Sequence, residues 1–441
     1  MIRCVSNYQI LQRNSDGIAV AVMGGNLPEE AGENKEVYVC AFRETDNLIV
    51  VNWQKAERTA KDWHAEIQLP EGGPYRLDAC LTDKTSRFEW EKRILCIHHV
   101  GVGDLYILAG QSNMAGYGRD IAYDPPCMGV HLYANNGKWD IATHPLNDPT
   151  DTIYPETAEY NSGTSPALSF GRRLKEALGI PIGLVQASLG GSTLDRWHPQ
   201  EEGSLYRSML RRLDAVGKVK GALWYQGCSD AKEVLAGTYQ KRFCEMVDLW
   251  RKELGEIPFL TVQLNRWGES KVGDDRYWGL VKEAQRQAAL QRESVYVVPS
   301  YDVTMSDGIH NSSGGNVVLG ERLALTALQM IYHKPGKTAA SVMHAEYVDD
   351  THIRLRFAEG FHVIPTDRHA DGMHVEDAQG LAECLSADWE PDDSVLVTAK
   401  RPFVLPAKYH AFWQENIPPF IPRDTNGMPM LACYGIDIEK K

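Results

Sequence analysis

Gly103-Asp104-Leu105-Tyr106-Ile107-Leu108-Ala109-Gly110-Gln111-Ser112-Asn113-Met114 is the stretch on which the fold turns. Leu105 to Ala109 read as a strand that runs into a glycine-containing turn, and the chain then makes a long polar excursion. Downstream, a helix begins near Ser165, with Pro166 in its first turn and Phe170, Leu174, Ala177 and Leu178 on one face. Gly179 and Pro181 stop it. Four further strand signals follow: Ile182–Val185, Ala222–Tyr225, Phe259–Val262 and Val295–Val298. Between and after them run amphipathic helices carrying Leu205, Met209, Leu213 and Val216, then Tyr239 to Leu254, then Leu280 to Leu290, and last Val317 to Ile331. Strands alternating with helices imply right-handed crossovers and a five-stranded parallel sheet covered on both faces, with ligands expected at the carboxyl ends of the strands.

On either side the period changes from helical to two. Trp63, Ala65, Ile67 and Leu69 alternate with polar residues. Tyr75, Leu77 and Ala79 do the same after the turn Glu71-Gly72-Gly73-Pro74. Beyond Lys334-Pro335-Gly336, Ile353, Leu355 and Phe357 alternate and Ser394 to Thr398 are strand-like. Pro402, Pro406, Pro418, Pro419, Pro422 and Pro429 mark loops or edge strands in the tail. The expected organisation is a β-rich region over 1–99, an α/β/α domain over 100–335 and a second β-rich region over 336–441. Whether the two β-rich regions pack together as one domain stays open.

A net charge of −13 argues against a nucleic-acid or anionic-membrane partner, which would call for a basic face. The N-terminus has no apolar signal-peptide core and no run reaches the length of a membrane span. The nine cysteines are unpatterned, with no Cys-x-x-Cys pair, so reduced thiols and a cytoplasmic location are expected. His98-His99 could suggest a metal, but adjacent residues of a strand point to opposite faces, and no metal site is expected.

Three weak chemical signals fall at the strand ends. Ser112 follows the first strand beside Gly110, and a serine needs a base to act as a nucleophile. Asp307-Gly308-Ile309-His310 follows the last strand, where a carboxylate three residues before a histidine can fix its tautomer. Gly190-Gly191-Ser192 after the second strand, and Gln226 in Trp224-Tyr225-Gln226-Gly227 after the third, offer donors for an oxyanion.

These blocks, in this order and at this spacing, resemble the sialate O-acetylesterase family within the SGNH hydrolases. The resemblance spans roughly Gly103 to His333 and includes Arg196-Trp197 after the glycine pair. It implies a flavodoxin-like three-layer α/β/α sandwich and hydrolysis of acetyl esters of sugars without a cofactor. It further implies Ser112 as nucleophile, His310 as base and Asp307 as its orienter. The oxyanion hole would be built from the Ser112 N–H, a glycine N–H of the Gly190-Gly191 pair and the Gln226 side chain. Gln111, Trp197 and Trp267 are carried as substrate-contact candidates, with loop aromatics Tyr117, Tyr123, Tyr133, Trp139, Tyr154 and Tyr160 available either to stack on sugars or to plug the loops. Two departures stand out: Cys228 where the family commonly has glutamate, and Asn311 where it usually has proline after the histidine. The competing readings are a non-catalytic carbohydrate-binding protein on the same fold and a different short-chain acyl hydrolase. An acetylated sugar is the expected partner, and an oligomer remains open.

Overall fold

The computed structural model describes residues 4–29, 31–32, 34–83, 92–160, 163–268, 275–358, 363–364, 370–417, 423–424 and 427–440. The architecture is organised by one 19-residue strand, Lys92–Gly110, here β5. Its first half belongs to an antiparallel N-terminal sheet. Before it come β1 (Ile18–Asn26), β2 (Lys35–Arg43), β3 (Asp62–Pro70) and β4 (Gly72–Asp83). β4 pairs antiparallel with both β2 and β5, and β1 pairs antiparallel with β3. The strict alternation of buried and exposed residues along β3 is the period-two signal made physical: Trp63, Ala65, Ile67 and Leu69 all point into one apolar cluster.

The second half of β5 is the centre of the parallel sheet. Following it are β6 (Val130–Tyr133), β7 (Trp139–Ile141), β8 (Ile182–Gln186), β9 (Gly221–Tyr225), β10 (Phe259–Gln263) and β11 (Val295–Pro299). The order across the sheet is β7-β6-β8-β5-β9-β10-β11, with only β7 antiparallel. Six strands are therefore parallel, not five. The additional one, β6, lies inside the excursion expected to be polar loop, where Asn135-Asn136-Gly137 turns it back onto β7. Its four residues are all buried, too short a run to signal a strand from periodicity.

The helices are α1 (Ser112–Ala115), α2 (Ala167–Leu178), α3 (Ser204–Val216), α4 (Tyr239–Leu254), α5 (Arg276–Gln291) and α6 (Ser313–Met330). α2 starts after Pro166 and ends where Gly179 takes the left-handed conformation, so the turn residues terminate it as expected. α2 packs against α6, and α4 against α5. β8 lies on one side of β5 and β9 on the other, so the chain reverses direction across the sheet there, and a crevice opens at the strand ends.

The C-terminal region closes into a seven-stranded barrel. Its strands are β12 (Val342–Tyr347), β13 (His352–Phe357), β14 (Met373–Asp377), β15 (Gly380–Trp389), β16 (Val395–Ala399), β17 (Lys408–Ala411) and β18 (Cys433–Glu439). They run in the order β12-β13-β16-β15-β14-β17-β18. Val342, Ile353, Leu355, Val397 and Tyr409 fill its interior. The barrel docks on the parallel sheet through buried polar groups. The Gln263 amide exchanges hydrogen bonds with the Ala432 backbone at 2.8 and 2.9 Å, and Lys282 donates to the carbonyls of Phe412 and Gln414 at 2.9 and 3.0 Å. Burial pushes the Lys282 ammonium well below its usual range, and the Asp275 and Glu415 carboxylates oppose that shift. Pro418, Pro419 and Pro422 lie outside the described residues.

One sequence expectation fails in the N-terminal region. His98 and His99 do not face opposite ways, because His99 takes φ of 59° and breaks the alternation. Both Nδ1 atoms meet the Glu44 carboxylate, at 2.9 and 2.7 Å. Among the described residues no group of three or more His, Cys, Asp or Glu side chains is arranged to hold a metal ion.

Candidate active site

Ser112 follows β5 directly. Gly110 sits at φ of 126°, and a Cβ there would fall 2.2 Å from the Tyr225 carbonyl oxygen, so only glycine lets the chain turn this close to β9. The turn leaves Ser112 as the first residue of α1, with an N–H that has no acceptor among the described residues.

The loop after β11 brings His310 to it. His310 Nε2 stands 3.0 Å from Ser112 Oγ, and Nδ1 stands 2.8 Å from Asp307 Oδ2. An ionised carboxylate can only accept, so the Nδ1 position carries the hydrogen and Nε2 is left to accept from the serine hydroxyl. Burial pushes the Asp307 carboxyl up, but the bonds from the His310 ring and from the Ile309 and His310 N–H groups outweigh it and hold it below its usual range.

Asparagines given no site role in the sequence pin this loop. Asn113, next to the serine, accepts from the Asn311 N–H at 2.9 Å and donates to the Ile309 carbonyl at 3.2 Å. Asn265, beyond β10, donates to the same carbonyl and to the Asn311 side chain, both at 2.8 Å. Asn311 donates on to Asn316, and Asn316 to the Thr164 carbonyl. The residue in the place of the family's usual proline thus belongs to a buried amide chain. Its only sequence signal was that departure.

The glycine loop is anchored on the same turn. Leu189 N–H and Ser192 Oγ both donate to the Gly110 carbonyl, at 3.0 and 3.3 Å. The two glycines differ. Gly190 N–H is taken by Glu159 Oε2 at 2.7 Å, whereas Gly191 N–H has no acceptor among the described residues and open space around its α-carbon. Gln226 is fully buried, and both hydrogens of its amide are engaged, with the Ser192 carbonyl at 3.1 Å and Asp230 Oδ2 at 2.5 Å. Its oxygen accepts from the Tyr239 hydroxyl at 2.9 Å. In this arrangement neither Gly190 nor the Gln226 amide has a hydrogen free for a substrate oxygen, contrary to expectation. A buried amide at a strand end finds protein partners before it finds solvent.

The substrate-contact candidates also separate. Trp197 is fully buried, donates to Ser192 Oγ at 3.1 Å and packs edge-on against Trp224, so it is core and not a sugar platform. Gln111 is buried too and accepts from the Gly227 N–H at 3.1 Å, holding the turn that carries Cys228. Trp267 is half-buried beside Trp278, and its N–H donates to the Glu415 carbonyl. Tyr133, Trp139 and Tyr154 plug the excursion, while Tyr123 and Tyr160 are exposed. Tyr117 stacks on the His310 ring, centroids 4.6 Å apart. Cys228 is buried, which pushes its thiol up to about 12 and leaves it a small filler.

A family model described as carbohydrate esterase, sialic acid-specific acetylesterase, matches residues 102–329, from the middle of β5 to the end of α6. The chain belongs to this family. The esterase is a carboxylic ester hydrolase, 28% identical over 247 residues to a probable carbohydrate esterase of Arabidopsis thaliana, covering 50% of this chain and 88% of the relative. It is 22% identical over 326 residues to the sialate O-acetylesterase of Homo sapiens, and spans 58% of that protein's length. A crystal structure of a carbohydrate acetylesterase from Xanthomonas citri superposes with a TM-score of 0.68 over 97% of both chains at 22% identity, so the whole fold of the esterase, flanking β regions included, recurs there. Among the described residues no helix is long and apolar enough to cross a membrane.

Proposed function

We propose that the esterase removes acetyl groups from O-acetylated sugars through a Ser112-His310-Asp307 acyl-enzyme mechanism. The observation that carries this reading is the unbroken hydrogen-bond line from Asp307 Oδ2 through both ring nitrogens of His310 to Ser112 Oγ. His310 takes the hydroxyl proton as Ser112 Oγ attacks the acetyl carbonyl, then gives it to the departing sugar hydroxyl. Water repeats the cycle on the acetyl-enzyme. The nucleophile is a side chain, so the step requires no cofactor. Oxyanion donors are the N–H groups of Ser112 and Gly191, and Gln226 acts behind them by holding the Ser192 carbonyl.

The packing of α2 with α6 and of α4 with α5 supports a three-layer α/β/α arrangement around the sheet. Separate apolar clusters support a division into regions near 1–99, 100–335 and 336–441, although β5 runs through the first of these boundaries. All nine cysteines stand as free thiols, which supports a reducing, cytoplasmic setting.

Acetate release from acetylated xylo-oligosaccharides and O-acetylated sialic acid tests the activity. Ser112→Ala and His310→Ala should each lower kcat by several orders of magnitude, on the order of 10⁴-fold, with the double variant little worse than either. Additive losses, or residual wild-type turnover in a folded Ser112→Ala protein, would refute the shared step.

A further inference from the structure

Glu159, in the loop before α2, has one carboxylate oxygen on the Gly190 N–H at 2.7 Å and the other on the Tyr117 hydroxyl. Tyr117 in turn lies flat on the His310 ring. A Cβ on Gly190 would stand 2.6 Å from both carboxylate oxygens and 2.9 Å from the tyrosine hydroxyl, so this position must be glycine for the carboxylate to sit where it does. The result is a half-buried anion wedged between the glycine loop and the ring that covers the base. None of these contacts is needed for the serine, histidine and aspartate to meet.

We infer that Glu159 is a specificity-determining residue that makes this site select uncharged O-acetylated sugars over carboxylate-bearing ones such as O-acetylated sialic acid. The inference rests on the acetylesterase reading above and runs against the substrate that the family description names. A sugar whose acetyl carbonyl lies against Ser112 and the glycine loop has its ring beside Tyr117 and Glu159, because those groups form the adjoining wall. Its hydroxyls can donate to the carboxylate, which has lone pairs to spare beyond the Gly190 and Tyr117 bonds. A carboxylate on the sugar would instead meet a fixed negative charge.

The surrounding charges do not neutralise that wall. Asp307 is committed to His310, and Asp120 accepts from Ser306 Oγ at 2.6 Å and the Ser313 N–H at 2.9 Å. Among the described residues the cation beside Tyr117 is Arg119, exposed, with its guanidinium carbon 5.8 Å from the Tyr117 ring centre. The exposed guanidinium is held only loosely over the Tyr117 ring, whereas the carboxylate is fixed by its bonds to the Gly190 N–H and the Tyr117 hydroxyl. Among the described residues, the carboxylates of Glu159, Asp120 and Asp307 stand against the guanidinium of Arg119 at this rim. The repulsion, reduced by screening, amounts to a discrimination on the order of tenfold.

The test is the ratio of kcat/KM for an acetylated xylo-oligosaccharide to that for O-acetylated N-acetylneuraminic acid, for wild type and Glu159→Gln. The glutamine keeps an oxygen and the shape while removing the charge, and any loss common to both substrates cancels in the ratio. We expect the wild type to favour the neutral sugar by about tenfold or more, and Glu159→Gln to narrow the ratio about fivefold or more. Raising ionic strength from about 0.02 M to about 0.5 M should narrow the wild-type ratio more than that of the variant, which keeps only Asp120 and Asp307 at the rim. A wild-type preference for the sialic acid, or a ratio untouched by Glu159→Gln, overturns the inference. Should the variant not fold, the salt dependence of the wild-type ratio decides in the same way. Absence of any Ser112-dependent acetate release, p-nitrophenyl acetate included, would instead sink the acetylesterase reading beneath it.

Discussion

The two loops that meet at Ser112 are held by different chemistry. Beyond the Asp307 and Asp120 carboxylates that bind its own N–H and hydroxyl groups, the histidine loop is tied by neutral amides: Asn113, Asn265, Asn311 and Asn316 exchange hydrogen bonds with one another and with the Ile309 and Thr164 carbonyls. The glycine loop is tied by carboxylates, Glu159 on Gly190 and Asp230 on the Leu194 N–H and the Gln226 amide. Amides fix geometry without adding charge beside a histidine that must change its own charge during turnover. Carboxylates grip the N–H groups harder, at the cost of engaging donors that could otherwise serve a substrate and of making the loop sensitive to protons.

Cutting the amide chain should have the largest effect on turnover. Asn265→Ala removes both bonds from β10 to the His310 loop, and we expect kcat to fall on the order of 10²-fold with KM changed far less, since a displaced base costs most in the transition state. Steady-state kinetics on an acetylated sugar checks it, and a near-normal kcat in the folded variant would show that Asn113 alone orients the loop.

Gln226→Ala tests the other loop. With its amide acting through the Ser192 carbonyl and not on the substrate, kcat should fall by only about tenfold, while stability drops by about 1–3 kcal/mol because the Asp230 carboxylate and the Tyr239 hydroxyl lose their buried partner. A loss of 10²-fold or more at unchanged melting temperature would return Gln226 to the oxyanion hole.

The smallest effect separates the loops by pH. Burial raises the Asp230 carboxyl above its usual range despite its bonds from Gln226 and Leu194. The folded state then holds this proton more tightly than the unfolded chain does, so stability attributable to Asp230 rises as pH falls through the raised value and is lost again as pH climbs back. Asp230→Asn should abolish that increment in urea unfolding followed across the acid range. Asn265 itself carries no titratable group, so Asn265→Ala should leave the pH profile of stability parallel to that of the wild type.

Much of this was legible in the chain before any coordinates. The alternation Trp63, Ala65, Ile67, Leu69 lies on a strand with one buried face, and the strands from Leu105, Ile182, Ala222, Phe259 and Val295 all lie in the parallel sheet. Strand β6 escaped because four buried residues inside a polar excursion carry no periodicity. Trp197 was misjudged because a loop position in sequence says nothing about depth: Ser192, Trp224 and Trp250 enclose it only after the sheet has formed. The asparagine chain was not read because Asn113, Asn265, Asn311 and Asn316 are scattered along the chain, and their joint role depends on the loops meeting.

What the sequence determined by itself was the set of segments and the residue types at their ends: period two against period 3.6 separates sheet faces from helices, and Gly110, Gly179 and the proline stops mark where the chain turns. Those are local properties, encoded by neighbouring residues. Which N–H groups remain free, which amides are spent and which carboxylate lies beside the base were decided by tertiary structure alone. Hydrogen-bond satisfaction in a buried crevice is a competition among groups far apart in sequence. Glu159 wins Gly190, and Asp230 with the Ser192 carbonyl wins Gln226, only because the connections from β7 to β8 and from β8 to β9 deliver them to one sheet edge.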